Sequence, residues 1–399
     1  MINREWAEEA KLTLGGLRMQ PHLGAITNWG GGIASFTARH ISKHSAYNID
    51  LRTATMADKT DLYKRYSLLS IPIYYAQQAY HFWRSDVAQI VTAALGTAVL
   101  LLTAYRFSLF LWGYVRPSTL QRYCHSQTGS WALVTGANDG IGRAFADELL
   151  DRGFNVLLHG RNSEKLERVR KEMMATYPKR SIDVVVADAS RTDRPERAVL
   201  EKVQQLPGKL VVLVNNVGGV NIKPAYQAFG AMSTADTDTV FNINARFPLH
   251  LTSLLMPTLI ANKPALILNC GSAAGVFGVP YLVTYSGTKA FLEGFTRGLA
   301  AELACEGLDK DVEAKCFIIN NTRSAGNKGE MPLFTVDARD LARGALAKVG
   351  SGRVVEYGHW RHAVQANLMG LLPEERVVKA MIPEMRKRKA EEEESAKSQ

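Results

Sequence analysis

Seven short apolar runs, separated by stretches that suit surface helices, constrain this chain more than any other feature. They are WALVTGA (131–137), NVLLHG (155–160), IDVVVAD (182–188), KLVVLVNN (209–216), ALILNCGS (265–272), VEAKCFIIN (312–320) and RVVEYG (353–358). Their Val, Ile and Leu residues are nearly continuous rather than alternating with polar ones, as a strand buried on both faces requires. After the first run, Ile141, Ala144, Phe145 and Leu149 fall on one face at helical spacing. Strands alternating with helices predict an α/β fold, a Rossmann-type doubly wound parallel sheet of seven strands. No internal repeat is visible.

Outside residues 129–360 the chain reads differently. The stretch Val87–Tyr105 is apolar and uncharged, and apolar character continues beyond Arg106 to Trp112 and Tyr114. A helix of ~20 residues covers about 30 Å, the thickness of a bilayer's hydrocarbon core, so this segment predicts a single transmembrane anchor. The region 61–120 is accordingly assigned to the membrane anchor. Residues 1–60 hold no sustained period and are expected to be poorly ordered, with Met56 a natural start and 1–55 an upstream extension. Residues 361–390 are expected to be helical, and 391–399 a disordered acidic tail after the basic block 386–389.

Net charge is +10, with 48 Lys and Arg against 38 Asp and Glu, which suits an anionic lipid surface. No single element carries a stripe of cations and aromatics, so nucleic acid is not an expected partner. The four cysteines have no Cys-x-x-Cys spacing and the nine histidines no His-x-x-x-His pair, so no metal is expected.

Two stretches carry chemistry. VTGANDGIGRAFADELL runs strand, glycine-rich turn, helix, which puts free N–H groups and the positive end of a helix dipole where a pyrophosphate can sit. Thr135, Gly136, Gly140, Ile141 and Gly142 are its expected cofactor contacts. YLVTYSGTKAF places Lys289 one helical turn after Tyr285. A phenol is a poor proton donor at neutral pH, and a neighbouring ammonium favours its ionised form. Tyr-x-x-x-Lys alone is expected about once by chance in such a chain.

The order Thr-Gly-x-x-x-Gly-x-Gly, then NNVG at 215–218, Asn244, Ser272, and Tyr285 with Lys289, resembles the short-chain dehydrogenase/reductase family over roughly 129–325. That resemblance implies that Tyr285 is the general acid for a carbonyl oxygen. Lys289 then makes the phenol more acidic and binds the nicotinamide ribose, Ser272 polarises the carbonyl, and Asn244 anchors a proton-relay water. Asn215 joins the implied cofactor contacts, and Asp188 takes the adenine amino group. At the end of the second run an acidic side chain would hold the ribose hydroxyls, whereas this chain has Gly160 and Arg161, which favours NADP(H).

Within the family, the chain is similar to the membrane-bound very-long-chain 3-oxoacyl-CoA reductases and related 17β-hydroxysteroid dehydrogenases. This implies NADPH-dependent reduction of a 3-oxoacyl-CoA in very-long-chain fatty acid elongation. It further implies an endoplasmic reticulum membrane with the catalytic domain facing the cytosol, and other elongation enzymes as partners; a homodimer stays open. Reduction of a steroid or secondary-metabolite ketone and a catalytically idle NADP-binding scaffold are the alternatives. One departure stands out: Asn320 and Asn321 replace the family's usual proline-containing turn, and Ser324 falls where a cofactor-contacting Thr is expected.

Overall fold

The computed structural model describes residues 75–76, 79–80, 82–125, 129–323 and 333–397. The chain divides into two compact units, Met1–Leu102 and Thr103–Gln399. The first described element, α1 (Asp86–Val115), runs unbroken for 30 residues with a mean hydropathy of 2.0 over its most apolar window. It extends the apolar segment Val87–Tyr105 by a further ten residues, past Arg106. By length and composition it is the one helix among the described residues able to cross a membrane.

All seven apolar runs are strands. They are β1 (Ser130–Thr135), β2 (Asn155–Gly160), β3 (Ile182–Val186), β4 (Lys209–Asn215), β5 (Ala265–Ser272) and β6 (Val312–Ile319), with the seventh run supplying Val355–Tyr357 at one edge. They form one parallel sheet in the order β3-β2-β1-β4-β5-β6 and then Val355–Tyr357. The helices that connect them are α2 (Gly140–Asp151), α3 (Ser163–Thr176), α4 (Glu196–Gln204), α5 (Thr234–Phe241) and α6 (Phe247–Ala261), followed by α7 (Ala273–Phe277), α8 (Val283–Cys305) and α9 (Ala338–Ala347). The chain ends in α10 (Trp360–Met369) and α11 (Glu374–Lys397).

The runs lack alternation because each face of the sheet has its own core. Ala132 and Val134 of β1 pack with Phe145 and Leu149 of α2 and Leu341 of α9. Trp131 and Leu133 point the other way, into a core with Val199 of α4, Leu251 of α6 and Leu303 of α8. A two-residue ladder, β7 (Thr322–Arg323) with β8 (Val336–Asp337), is too short to leave a sequence signal. With these two named, Val355–Tyr357 is β9. The acidic tail differs from expectation: α11 continues as helix to Lys397, because Glu392 has backbone partners in the domain.

Just after α1, the chain is bolted to the β9 edge. The Arg116 guanidinium donates to the carbonyls of Gly350, Lys348 and Val349 at 2.9, 2.8 and 3.0 Å. The buried Lys315 ammonium sits 2.7 Å from Glu356, and Lys348 donates to the Tyr114 hydroxyl at 2.9 Å. Burial pulls the Lys348 ammonium down to about 8, and Glu356 opposes that shift. Glu356 thus faces two buried cations, with Lys348 3.9 Å away, while Glu313 stands 4.0 Å from Lys315. Glu356→Gln should cost about 3–5 kcal/mol, the usual penalty for stranding a buried charge, read as a lower urea midpoint of the full chain; an unchanged midpoint would refute the role.

Candidate active site

At the carboxyl ends of the strands lies a cleft of about 910 Å³, where the sheet order reverses between β1 and β4. Its floor at one end is the glycine turn. Gly136 and Gly140 adopt φ of 65° and 53°, in the region that disfavours a Cβ. A Cβ on Gly142 would lie 2.1 Å from the Gly136 carbonyl oxygen, so only glycine lets α2 close on the turn. The Asp139 side chain caps α2, accepting from Gly140 N at 2.6 Å. Gly136, Gly140, Ile141 and Gly142 all line the cleft.

Thr135 and Asn215 do not line it. The Thr135 hydroxyl donates to the Val214 carbonyl at 3.1 Å and accepts from the N–H groups of Asn216 and Val217 at 2.9 and 3.0 Å. It joins β1 to the turn after β4. Asn215 donates from Nδ2 to Thr252 and Asn269 at 2.9 and 2.8 Å inside the core. The side chains expected as cofactor contacts therefore hold the floor from beneath, and residues 216–219 form the wall.

Ser272, Tyr285 and Lys289 meet at the other end. Ser272 terminates β5 and caps α7, its Oγ accepting from Ala274 N at 3.2 Å. Tyr285 lies in the first turn of α8 and lines the cleft with Ser272. Lys289, one turn later and buried, donates to the Cys270 carbonyl at 2.8 Å with Nζ 5.7 Å from the Tyr285 ring centroid. Asn244 sits in a π-helical turn, Asn242–Arg246. Its amide grips Gly219 twice, accepting from the N–H at 3.0 Å and donating to the carbonyl at 2.8 Å. A Cβ on Gly218 would come within 2.7 Å of Asn244 Oδ1 and 3.0 Å of Lys289 Nζ, so both side chains converge on that glycine.

At the glycine end, Arg161 is exposed at the mouth and Asp188 lines the wall, its carboxylate accepting from the Ser190 N–H and hydroxyl at 3.0 and 2.8 Å. Sequence reasoning missed Asn138 and Lys165, which line the cleft beside Arg161. It expected a helix over 361–390 but missed its place in the cleft: Met381, Met385 and Arg388 of α11 wall the opposite end. Their spacing of four and three residues was the available signal.

Asn320 and Asn321 build a different turn from the one a proline would make. His362, fully buried on α10, accepts from the Asn320 N–H at Nδ1 (3.3 Å) and donates from Nε2 to the Asn321 carbonyl (3.2 Å). The Asn320 side chain donates to Gln365 at 2.6 Å and that of Asn321 to Thr335 at 2.8 Å. Ser324 lies outside the described residues.

Comparison with known proteins bears on the family and the fold. A family model for short chain dehydrogenases matches residues 130–328. The very-long-chain 3-oxoacyl-CoA reductase of Podospora anserina is 33% identical over 279 residues, covering 69% of this chain and 79% of that protein. Very-long-chain 3-oxoacyl-CoA reductase-A of Danio rerio is 36% identical over 233 residues, covering 57% and 67%. A solved 7beta-hydroxysteroid dehydrogenase shares the fold, with a TM-score of 0.57 at 21% identity over 66% of this chain and 98% of its own. The chain belongs to the short-chain dehydrogenase family. It is an oxidoreductase.

Burial holds His362 neutral, with its pKa pulled down to about 4, and buried His159 behaves the same way. The unfolded chain binds those protons near pH ~6.5. Between the two values the unfolded state is the better proton binder, so stability falls as pH falls. Lowering pH from 7 to 5 should remove on the order of 2 kcal/mol per histidine, and His362→Gln should roughly halve that slope in urea titrations. An unaltered slope would count against the neutral imidazole.

Proposed function

We propose that this chain reduces a 3-oxoacyl-CoA to the 3-hydroxyacyl-CoA using NADPH, anchored by α1 in the endoplasmic reticulum membrane with its catalytic domain in the cytosol. The observation that carries the reading is the convergence of Ser272, Tyr285 and Lys289 on the same cleft as the Gly136–Gly142 turn. The names of relatives at 33% and 36% identity support the substrate class. The glycine turn fits a dinucleotide pyrophosphate, because the space a Cβ would fill at Gly142 is taken by backbone and α2 presents its N-terminus.

When bound, the nicotinamide supplies a hydride to the carbonyl carbon. The chain's own residues handle the proton and the geometry. Ser272 hydrogen-bonds the carbonyl oxygen and holds it beside Tyr285. The Tyr285 hydroxyl gives its proton to that oxygen as it gains charge, and the Lys289 ammonium stabilises the phenolate left behind. Asn244 keeps the 218–219 wall in place against Lys289. Arg161 offers a guanidinium to the 2′-phosphate that distinguishes NADPH from NADH. A long acyl chain partitions into the bilayer by ~0.8 kcal/mol per CH₂, so an anchored enzyme meets its substrate at the surface.

The test is turnover in reconstituted membranes given NADPH or NADH with a panel of 3-oxoacyl-CoAs and ketosteroids, with products identified by mass spectrometry. Preferential reduction of ketosteroids would overturn the substrate assignment. Tyr285→Phe should lower kcat by ~10²–10⁴ while cofactor still binds. Arg161→Gln should raise KM for NADPH roughly 10–100-fold and leave that for NADH within about threefold; equal changes for both would remove Arg161 from phosphate recognition.

A further inference from the structure

The cleft is closed at its substrate end by α11, and the chemistry of that wall is graded. Met381, Met385 and Arg388 line it at intervals of four and three residues, so they share one helical face over about 10 Å. The helix is fixed at both walls. The Glu392 carboxylate accepts from the N–H groups of Ala225 and Tyr226 at 2.7 and 2.9 Å, and Lys389 Nζ stands 5.1 Å from the Tyr281 ring centroid. Arg388 donates from Nε to Glu384 at 2.8 Å and from one terminal nitrogen to the Tyr226 hydroxyl at 3.4 Å. A guanidinium has five N–H donors, so three are left over.

We propose that Arg388 is a specificity-determining residue that binds a phosphate of the coenzyme A carrier, with Met381 and Met385 lining the acyl chain's path. The proposal rests on the thioester reading above. Neither proton transfer by Tyr285 nor polarisation by Ser272 needs a cation at this end, and a neutral ketone would find no partner for it. A phosphate accepts in the fork geometry that guanidinium presents. Unbranched thioether side chains adapt to apolar chains of varied shape. Arg386, exposed beside Arg388, is a second cation on this stretch, whereas Lys387 stands 3.7 Å from Glu391.

The test uses the full-length protein in nanodiscs with saturating NADP⁺, so that coenzyme A does not occupy the dinucleotide site. Equilibrium dialysis should show free coenzyme A binding 10–100-fold more weakly to Arg388→Gln, with Arg388→Lys recovering much of the loss. In turnover, the kcat/KM ratio of a 3-oxoacyl-CoA to the same acyl group on uncharged N-acetylcysteamine should fall by a similar factor, through KM. Equal losses for both thioesters would mean a structural role and overturn the proposal. So would coenzyme A binding that ignores the substitution, or no binding to the unmodified protein. If the unmodified enzyme reduces neither thioester, the functional reading fails by itself, and coenzyme A binding still decides the role of Arg388.

Discussion

The seam between β1 and β4 is the constraint on which the rest of the structure depends. One hydroxyl, that of Thr135, satisfies two N–H groups of the turn after β4 and donates to the carbonyl of Val214. Gly142 meets the Gly136 carbonyl at a distance that forbids any side chain. Strand order reverses at this seam, so the loops leaving β1 and β4 part company and open a crevice. The cradle faces one side of it and residues 216–219 the other. Loosening either tie would shift the wall that Asn244 and Lys289 share through Gly218.

Much of this was legible in the residues. Two-sided burial forces a composition that local reading detects, and each of the seven runs became a strand. β1 stops at Thr135 rather than continuing to Ala137 because Gly136 turns the chain. Ser272, Tyr285 and Lys289 were singled out by their order and spacing along the chain, and all three line the one cleft. Thr135 and Asn215 lie beneath the cleft, with their side chains bonded to the strands and turn around them. A motif fixes where a residue sits in the fold, but which side of the backbone its side chain serves depends on partners such as Asn269, 54 positions away.

The last helix was expected as far as residue 390, and its continuation to Lys397 was hidden for the same reason. A basic block followed by four glutamates looks like a solvated end when only neighbours are counted. Glu392 finds its partners at Ala225 and Tyr226, more than 160 positions earlier, and that contact carries helical order through to Lys397. The asparagine pair at 320–321 was likewise a departure without a cause until His362 supplied one. Its imidazole satisfies the N–H of Asn320, a donor that a proline lacks, and the carbonyl of Asn321.

The wide turn at Asn242–Arg246 has a consequence for how the family's catalytic scaffold tolerates insertion and loss. Such a bulge holds one residue more than an ordinary helical turn would. Excising Ile243 would let the segment relax into regular α geometry and carry the amide of Asn244 around the axis by up to one residue step, roughly 100°. Its double grip on the glycine wall would be gone although every named side chain of the site survived. Chain length at that spot is as much a part of the chemistry as residue identity.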